Sequence, residues 1–217
     1  MYELVHLALY LFGSMYSSII NANVFLSSTS FRLHACVRFS PPPHIVQLLI
    51  DLVPESPSSV DCLRRCPLHV AAGTRASLSV IQMLTQAYPD ACDIQDVDGK
   101  TPLTLTCDAA CELFEGDQNS YGREPPSFQV VKILLEASGS SVPLEDNEGM
   151  SALEHAIFSD APIEVIKLLQ HVTRRQCEVQ QKRRQSLEHS ESERVHESTD
   201  GAISAIPAKK VSFHAKK

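Results

Sequence analysis

The chain lacks the marks of the common catalytic classes: its 217 residues hold no Gly-rich phosphate loop, no nucleophile elbow and no His-Glu-x-x-His helix. On that ground no catalytic residue and no cofactor is expected, and the chain is not read as an enzyme. It also lacks a cysteine framework. Seven cysteines (Cys36, Cys62, Cys66, Cys92, Cys107, Cys111 and Cys177) are odd in number, and none stands in paired C-x-x-C spacing with histidines at zinc-finger distances. Neither a disulfide scaffold nor a zinc module follows, and free thiols in a reducing, cytoplasmic or nuclear location fit best. Cys62, Cys66 and His69 come nearest to a metal set, but structural zinc takes four ligands and no fourth is near, so no metal is expected.

Positive charge is scarce where a nucleic-acid surface would need it. Residues 1–172 carry 9 Lys/Arg against 20 Asp/Glu, a net −11, while residues 173–217 carry 10 against 6, a net +4. An acidic body repels phosphates, and the tail's excess is interrupted by Glu, so no nucleic-acid partner is expected. Residues 4–26 form an apolar stretch, beginning Leu4-Val5-His6-Leu7-Ala8-Leu9, but it lacks a basic leader: Glu3 stands where Lys or Arg is wanted, and Ser14, Ser17, Ser18, Asn21 and Asn23 dilute it. Residues 1–30 are therefore read as a degenerate repeat or capping helix, with a secretory signal or membrane anchor as the rival reading and an incorrectly assigned start as the third.

What the chain does have is a period. Leu33-His34-Ala35-Cys36 recurs as Leu68-His69-Val70-Ala71, Leu103-Thr104-Leu105-Thr106 and Leu153-Glu154-His155-Ala156, at intervals of 35, 35 and 50 residues. A second tetrad (aliphatic, polar, aliphatic, Leu) keeps step with it at Val46–Leu49, Ile81–Leu84, Val131–Leu134 and Ile166–Leu169. First and second signals are 13 residues apart in three units and 28 in the third, while each second signal precedes the next first signal by 22. The extra 15 residues therefore lie inside the third unit, in a turn-rich segment at about 108–126 that contains Gly116, Gly122, Pro125 and Pro126.

Each unit reads as helix, turn, helix, loop. Pro67 and Pro102 suit the first turn of a helix, and Thr101 and Ser151 stand where a capping hydroxyl would. Asp61, Asp96 and Asp146 hold equivalent places ahead of the next helix, with Gly99 and Gly149 three residues after the last two, as a tight turn requires. One amphipathic stripe cannot bury itself, so the units must stack.

Asp96-Val97-Asp98-Gly99-Lys100-Thr101-Pro102-Leu103 and Pro67-Leu68-His69-Val70-Ala71-Ala72 resemble the ankyrin repeat, over roughly residues 31–172. The resemblance departs from that pattern at Arg64, in place of the turn glycine, at Thr104 and Glu154, in place of the motif histidine, and at Ala152, in place of proline. It implies an all-α helical repeat solenoid of about four units, a stack of helix-turn-helix pairs joined by hairpin-like loops, that acts as a scaffold or adaptor for another protein. His69 is read as a structural histidine bonding nearby backbone, and Cys36 and Cys107 as buried packing groups.

The exposed face of such a stack consists of turn tips and first-helix ends. By phase these are Val60, Cys62, Leu63, Arg65, Gly73 and Thr74 in unit two; Gln95, Val97, Asp98, Lys100, Asp108 and Ala109 in unit three; and Glu145, Asn147, Glu148, Met150, Phe158 and Ser159 in unit four. Apart from Arg65 and Lys100 they are acidic or neutral, which favours a neutral-to-basic partner.

Residues 173–217 read as a charged tail, helical toward about residue 187 and disordered beyond. Lys209-Lys210-Val211-Ser212-Phe213 resembles the docking motif of regulatory subunits of the type-1 serine/threonine protein phosphatase, in which Val211 and Phe213 would fill apolar pockets and Lys209 and Lys210 would meet acidic surface. That implies a phosphatase catalytic subunit as a partner. Arg183-Arg184-Gln185-Ser186-Leu187 resembles a site of basophilic kinases such as the cyclic-AMP-dependent kinase. Ser186 is thus a phosphorylation candidate, as is Ser212, where a phosphate between the two anchors would oppose docking.

Overall fold

Spacing of apolar residues at i and i+3 determines which face of each segment is buried, and the computed structural model describes the outcome for residues 31–111, 113 and 125–203. Among these residues there are eight α-helices and no strand; one isolated antiparallel bridge joins Glu145 and Ser151. The helices are α1 (Phe31–Arg38), α2 (Pro43–Leu52), α3 (Pro67–Gly73), α4 (Leu78–Ala87), α5 (Pro102–Cys107), α6 (Phe128–Ala137), α7 (Ala152–Phe158) and α8 (Ile163–Ile203). The chain divides into two compact units, Met1–Val172 and Thr173–Lys217.

In the first unit the helices pack in pairs and in rows. α1 lies against α2, α3 against α4 and α5 against α6; along the rows, α1 meets α3, α3 meets α5 and α5 meets α7, while α2 meets α4 and α4 meets α6. The core comes from the residues that recur in the sequence. Leu33, Leu68 and Leu103 are buried near the starts of their helices, and Val46 with Leu49, Ile81 with Leu84, and Val131 with Leu134 are buried one turn apart. The polar residue inside each of those tetrads (Gln47, Gln82, Lys132) is exposed. Each fully buried Leu or Ile contributes about 1.5–3 kcal/mol, so the tetrads supply much of the drive to pair.

Helix starts follow from their first residues. Pro67 and Pro102 occupy N1, where no N–H is needed. The Thr101 hydroxyl accepts from the Thr104 N–H, and Ser151 with Glu154 forms a reciprocal capping box. The ends of α1, α3 and α7 are each followed by a residue in the left-handed region, at Ser40, Arg75 and Asp160. After α3 and α7 the chain then closes with the same reversed bond, Ala76 N–H to Ala71 C=O and Ala161 N–H to Ala156 C=O, each 2.9 Å.

The connections ahead of α3, α5 and α7 share one turn. In each, a carboxylate oxygen accepts two backbone N–H groups: Asp61 from Leu63 and Arg65, Asp96 from Asp98 and Lys100, Asp146 from Glu148 and Met150, all at 2.8–3.0 Å. The turn passes through positive φ at Arg64 (58°), Gly99 (77°) and Gly149 (77°). Neighbouring turns are also bonded to one another: Val97 N–H donates to Leu63 C=O at 3.0 Å, and Asn147 N–H to Asp98 C=O at 2.9 Å.

One tail expectation requires correction. α8 does not end near residue 187; it continues to Ile203. Low apolar content denies that stretch a packing face, but helix formation satisfies backbone groups within the segment itself, and Glu188, Glu191, Glu193, Arg194 and Glu197 are good helix formers. No helix among the described residues is long and apolar enough to cross a membrane. The readings of residues 1–30, of residue 112 and residues 114–124 in the insertion, and of Lys209, Lys210, Val211, Ser212 and Phe213 lie outside the described residues.

Two outcomes test the turn geometry. Arg64→Gly should stabilise the fold by about 1 kcal/mol, because a left-handed residue with a Cβ costs about 1–2 kcal/mol. Gly99→Ala should cost more than Gly149→Ala, since a Cβ at Gly99 would lie 2.9 Å from the Asn147 backbone nitrogen whereas one at Gly149 meets nothing within 4 Å. Urea unfolding midpoints of the three variants measure both; equal losses at the two glycines would contradict the inter-turn packing.

Candidate protein-binding surface

The turns hold their tip residues rigidly, because each tip is fixed by a carboxylate from within and by a backbone bond from the neighbouring turn. Val60, Cys62 and Leu63 on the first tip, Val97 and Asp98 on the second, and Glu145, Asn147 and Glu148 on the third are exposed. Thr74, Gln95, Lys100, Ala109, Met150 and Ser159 are half-buried, and Phe158 is exposed. Side chains lace the second and third tips together: Gln95 Nε2 donates to the Gly99 and Glu145 carbonyls, and Asn147 Nδ2 donates to the Val97 carbonyl at 2.9 Å. The result is a row of three tips with apolar side chains at one end and carboxylates at the other.

Three residues expected on this face are buried instead: Arg65, Gly73 and Asp108. Arg65 is drawn in by Asp61, which its Nε and Nη2 reach at 2.9 and 2.8 Å, and by the Leu113 carbonyl, to which Nη1 donates at 2.6 Å. Gly73 is covered by the Leu113 side chain, which occupies the space a Cβ at Gly73 would need. Leu113 packs in a small apolar group with Ala72, Leu105 and Cys111, so the start of the insertion folds over α3 and α5. Asp108 accepts from Lys100 Nζ at 2.6 Å and lies 3.9 Å from His155 Nδ1, and His155 Nε2 lies 2.7 Å from Asp146. This chain of polar contacts ties the second turn to α7.

The carboxylates of the turns differ in their electrostatics. Burial works to raise Asp61, but the Arg65 backbone N–H, its guanidinium and the Leu63 N–H outweigh it and hold the carboxyl below the usual range. Burial likewise opposes ionisation of Asp146, which His155 and the N–H groups of Met150 and Glu148 overcome. At Asp96 burial, helped by the Asp98 charge, prevails over the Lys100 and Asp98 backbone N–H groups and the Lys100 charge, and raises it.

His69 is fully buried. Its Nδ1 accepts from the Cys66 N–H at 3.2 Å and its Nε2 donates to the Ile94 carbonyl at 3.0 Å, which fixes the neutral tautomer and joins α3 to the next connection. This is the backbone-bonding role read from the sequence. Burial pushes the Cys66 thiol up to about 11 and that of Cys107 to about 12, so both serve as packing groups and hold little thiolate at neutral pH. Cys36, half-buried on α1, is likewise pushed up to about 12. Among the described residues no group of three or more His, Cys, Asp or Glu side chains is placed to hold a metal ion. Ser186 lies on the exposed side of α8, its hydroxyl donating to the Lys182 carbonyl at 2.9 Å.

Leu113 and the Lys100–Asp108–His155–Asp146 chain were not anticipated. The lone signal for the first was an apolar residue at the head of a polar insertion; for the second, ionisable residues in adjacent units near one phase. No protein-family model matches the chain, and no curated protein matches it.

Burial holds the His69 imidazole down at about 4, against an ordinary value of 6.5. Between those values the unfolded chain binds a proton that the folded one does not, so stability is complete above pH 6.5 and is lost as pH falls toward 4. The full loss is on the order of 3 kcal/mol. His69→Gln should flatten this acid limb in urea midpoints while lowering stability at neutral pH; an unchanged pH slope would show that His69 is not its source.

Proposed function

We propose that the chain is a protein-binding scaffold of the ankyrin-repeat type, in which stacked helix pairs hold a row of turn tips against a partner. The observation that carries this reading is the recurrent turn: three aspartates in one phase, each accepting the same two N–H groups, and each turn hydrogen-bonded to the next. Such a row is stiff without being covered, so association need not order a loop first. The working face is Val60, Leu63, Val97 and Asp98, with Asn147, Glu145 and Glu148 beside them; Arg65, Gly73 and Asp108 are not part of it. Exposed aliphatic tips supply apolar area, and the flanking carboxylates select a neutral-to-basic partner. No catalytic step is assigned to the chain.

The tail motif favours a second, compatible reading. Lys209-Lys210-Val211-Ser212-Phe213 would recruit a type-1 phosphatase catalytic subunit while the tips hold that enzyme's substrate, two linked sites raising effective concentration.

Affinity capture with three versions of the chain tests both. Leu63→Glu with Val97→Glu should release the partners of the tips and leave any phosphatase bound. Val211→Ala with Phe213→Ala should release a phosphatase catalytic subunit alone, truncation of both anchors costing several kcal/mol. An unchanged set of captured proteins after the first change would refute tip binding, and after the second would end the docking reading.

A further inference from the structure

The last helix pair differs from the ones before it in a way that points outward. Ile157 stands at the position of Ala72 and Cys107, by the repeat register proposed above, on which this inference rests. Those two are 2% and 0% exposed, Ala72 packed among Leu105, Cys111 and Leu113 and Cys107 within the main core, whereas Ile157 is 51% exposed and its neighbour Phe158 is 87% exposed. Ile166 on α8 repeats the pattern: its equivalents Ile81 and Val131 are fully buried, and it is only half-buried. The end of the array at α7 thus presents apolar side chains at places that are covered in the interior pairs.

Polar positions tell what kind of helix would suit that end. In the interior, side chains reaching toward the following connection are donors. His34 Nε2 donates to the Arg65 carbonyl at 2.8 Å, His69 Nε2 to the Ile94 carbonyl at 3.0 Å, and Gln95 Nε2 to the Glu145 carbonyl at 2.9 Å. In the last pair the histidine position is Glu154 and the glutamine position is Glu145, with Glu148 exposed at the same tip. Carboxylates cannot donate to a carbonyl and repel one another, so a further unit of the same kind, or this end of a second copy, would place acceptor against acceptor. Lys167 occupies a position exposed in every pair, like Gln82 and Lys132, and so is not part of this end.

We propose that the α7 end of the array, with Ile157 and Phe158 as apolar anchors and Glu145, Glu148 and Glu154 as the rim, docks a basic amphipathic helix of a partner protein. Such a helix lays its apolar stripe over Ile157 and Phe158 and brings Lys or Arg donors to the carboxylates. This surface shares Glu145 and Glu148 with the row of tips, but its apolar anchors, Ile157 and Phe158, are distinct from Leu63 and Val97.

The probe is a labelled peptide of about 18 residues, long enough for five helical turns, with leucines on one helical face and lysines elsewhere. It is titrated into the full chain by fluorescence polarisation, beside a scrambled peptide of equal charge and a peptide with glutamates in place of the lysines. Binding of the first peptide alone is expected, weakened at least about tenfold by Ile157→Ser with Phe158→Ser, a loss within the range of anchor truncations. Both side chains are already largely in solvent, so the variant should keep the parent's urea midpoint. Glu145→Gln with Glu148→Gln should weaken binding and reduce its dependence on salt. Equal binding of the scrambled or acidic peptide, or full affinity in the Ile157 and Phe158 variant, would overturn the inference. If Leu63→Glu with Val97→Glu abolishes peptide binding instead, the end face is refuted while tip binding stands. Self-association of the parent chain that Phe158→Ser dissolves would also overturn it, assigning the face to a second copy.

Discussion

A carboxylate oxygen held between two backbone N–H groups, at Asp61, Asp96 and Asp146, sets the direction in which each helix pair meets the next. Without it, two backbone N–H groups in each turn would need other partners, and a turn buried on one side has few. With it, the N–H at the start of each later tip is free to bond the previous tip, as Val97 does to Leu63 and Asn147 to Asp98. The helices α3, α5 and α7 then begin at matched heights, and Leu68, Leu103 and Ala152 enter one continuous core. The short first helices, six to eight residues each, would be marginal alone and owe their existence to this registration.

Much of this was legible because the period acts on every level at once. The Leu and tetrad signals located the helices, proline and hydroxyl residues located their starts, and Asp with Gly three residues on located the tight turns. What escaped the sequence was long-range. Arg65 appears exposed by phase, yet Asp61 and the Leu113 carbonyl together satisfy it in the interior. Gly73 appears to be a gap in the surface, yet Leu113 fills it from 40 residues away. An inserted segment carries no phase, so the repeat could say where it begins but not that its first residues would lie back over α3 and α5. The length of α8 was missed for a different reason: composition reports whether a segment can bury surface, and a helix does not have to.

Buried polar groups between the helix pairs divide into two kinds. His69 is a neutral group with both ring nitrogens used, and it joins one pair to the next at the cost of staying unprotonated. Lys100, Asp108, His155 and Asp146 form a chain of polar contacts between α5 and α7, where Thr104 stands in the place of His69 and turns back on Thr101 instead. This chain thus takes over, with longer side chains, the linking that His69 performs between α3 and the connection after α4. That substitution explains why Asp108, one residue past α5, is buried although its phase suggested surface.

Residues with a Cβ at positive φ show where the fold tolerates strain and why. Ser40, Arg75 and Asp160 recur after α1, α3 and α7, and Arg64 sits at the one tight turn without glycine. Each costs about 1–2 kcal/mol relative to glycine. Arg75 offsets that by sending Nη1 to the Thr106 carbonyl, which clamps α3 to the end of α5. Arg64 has no such role in the fold: it is exposed on the first tip, beside Leu63. The strain at Arg64 is therefore not offset by burial of its own side chain.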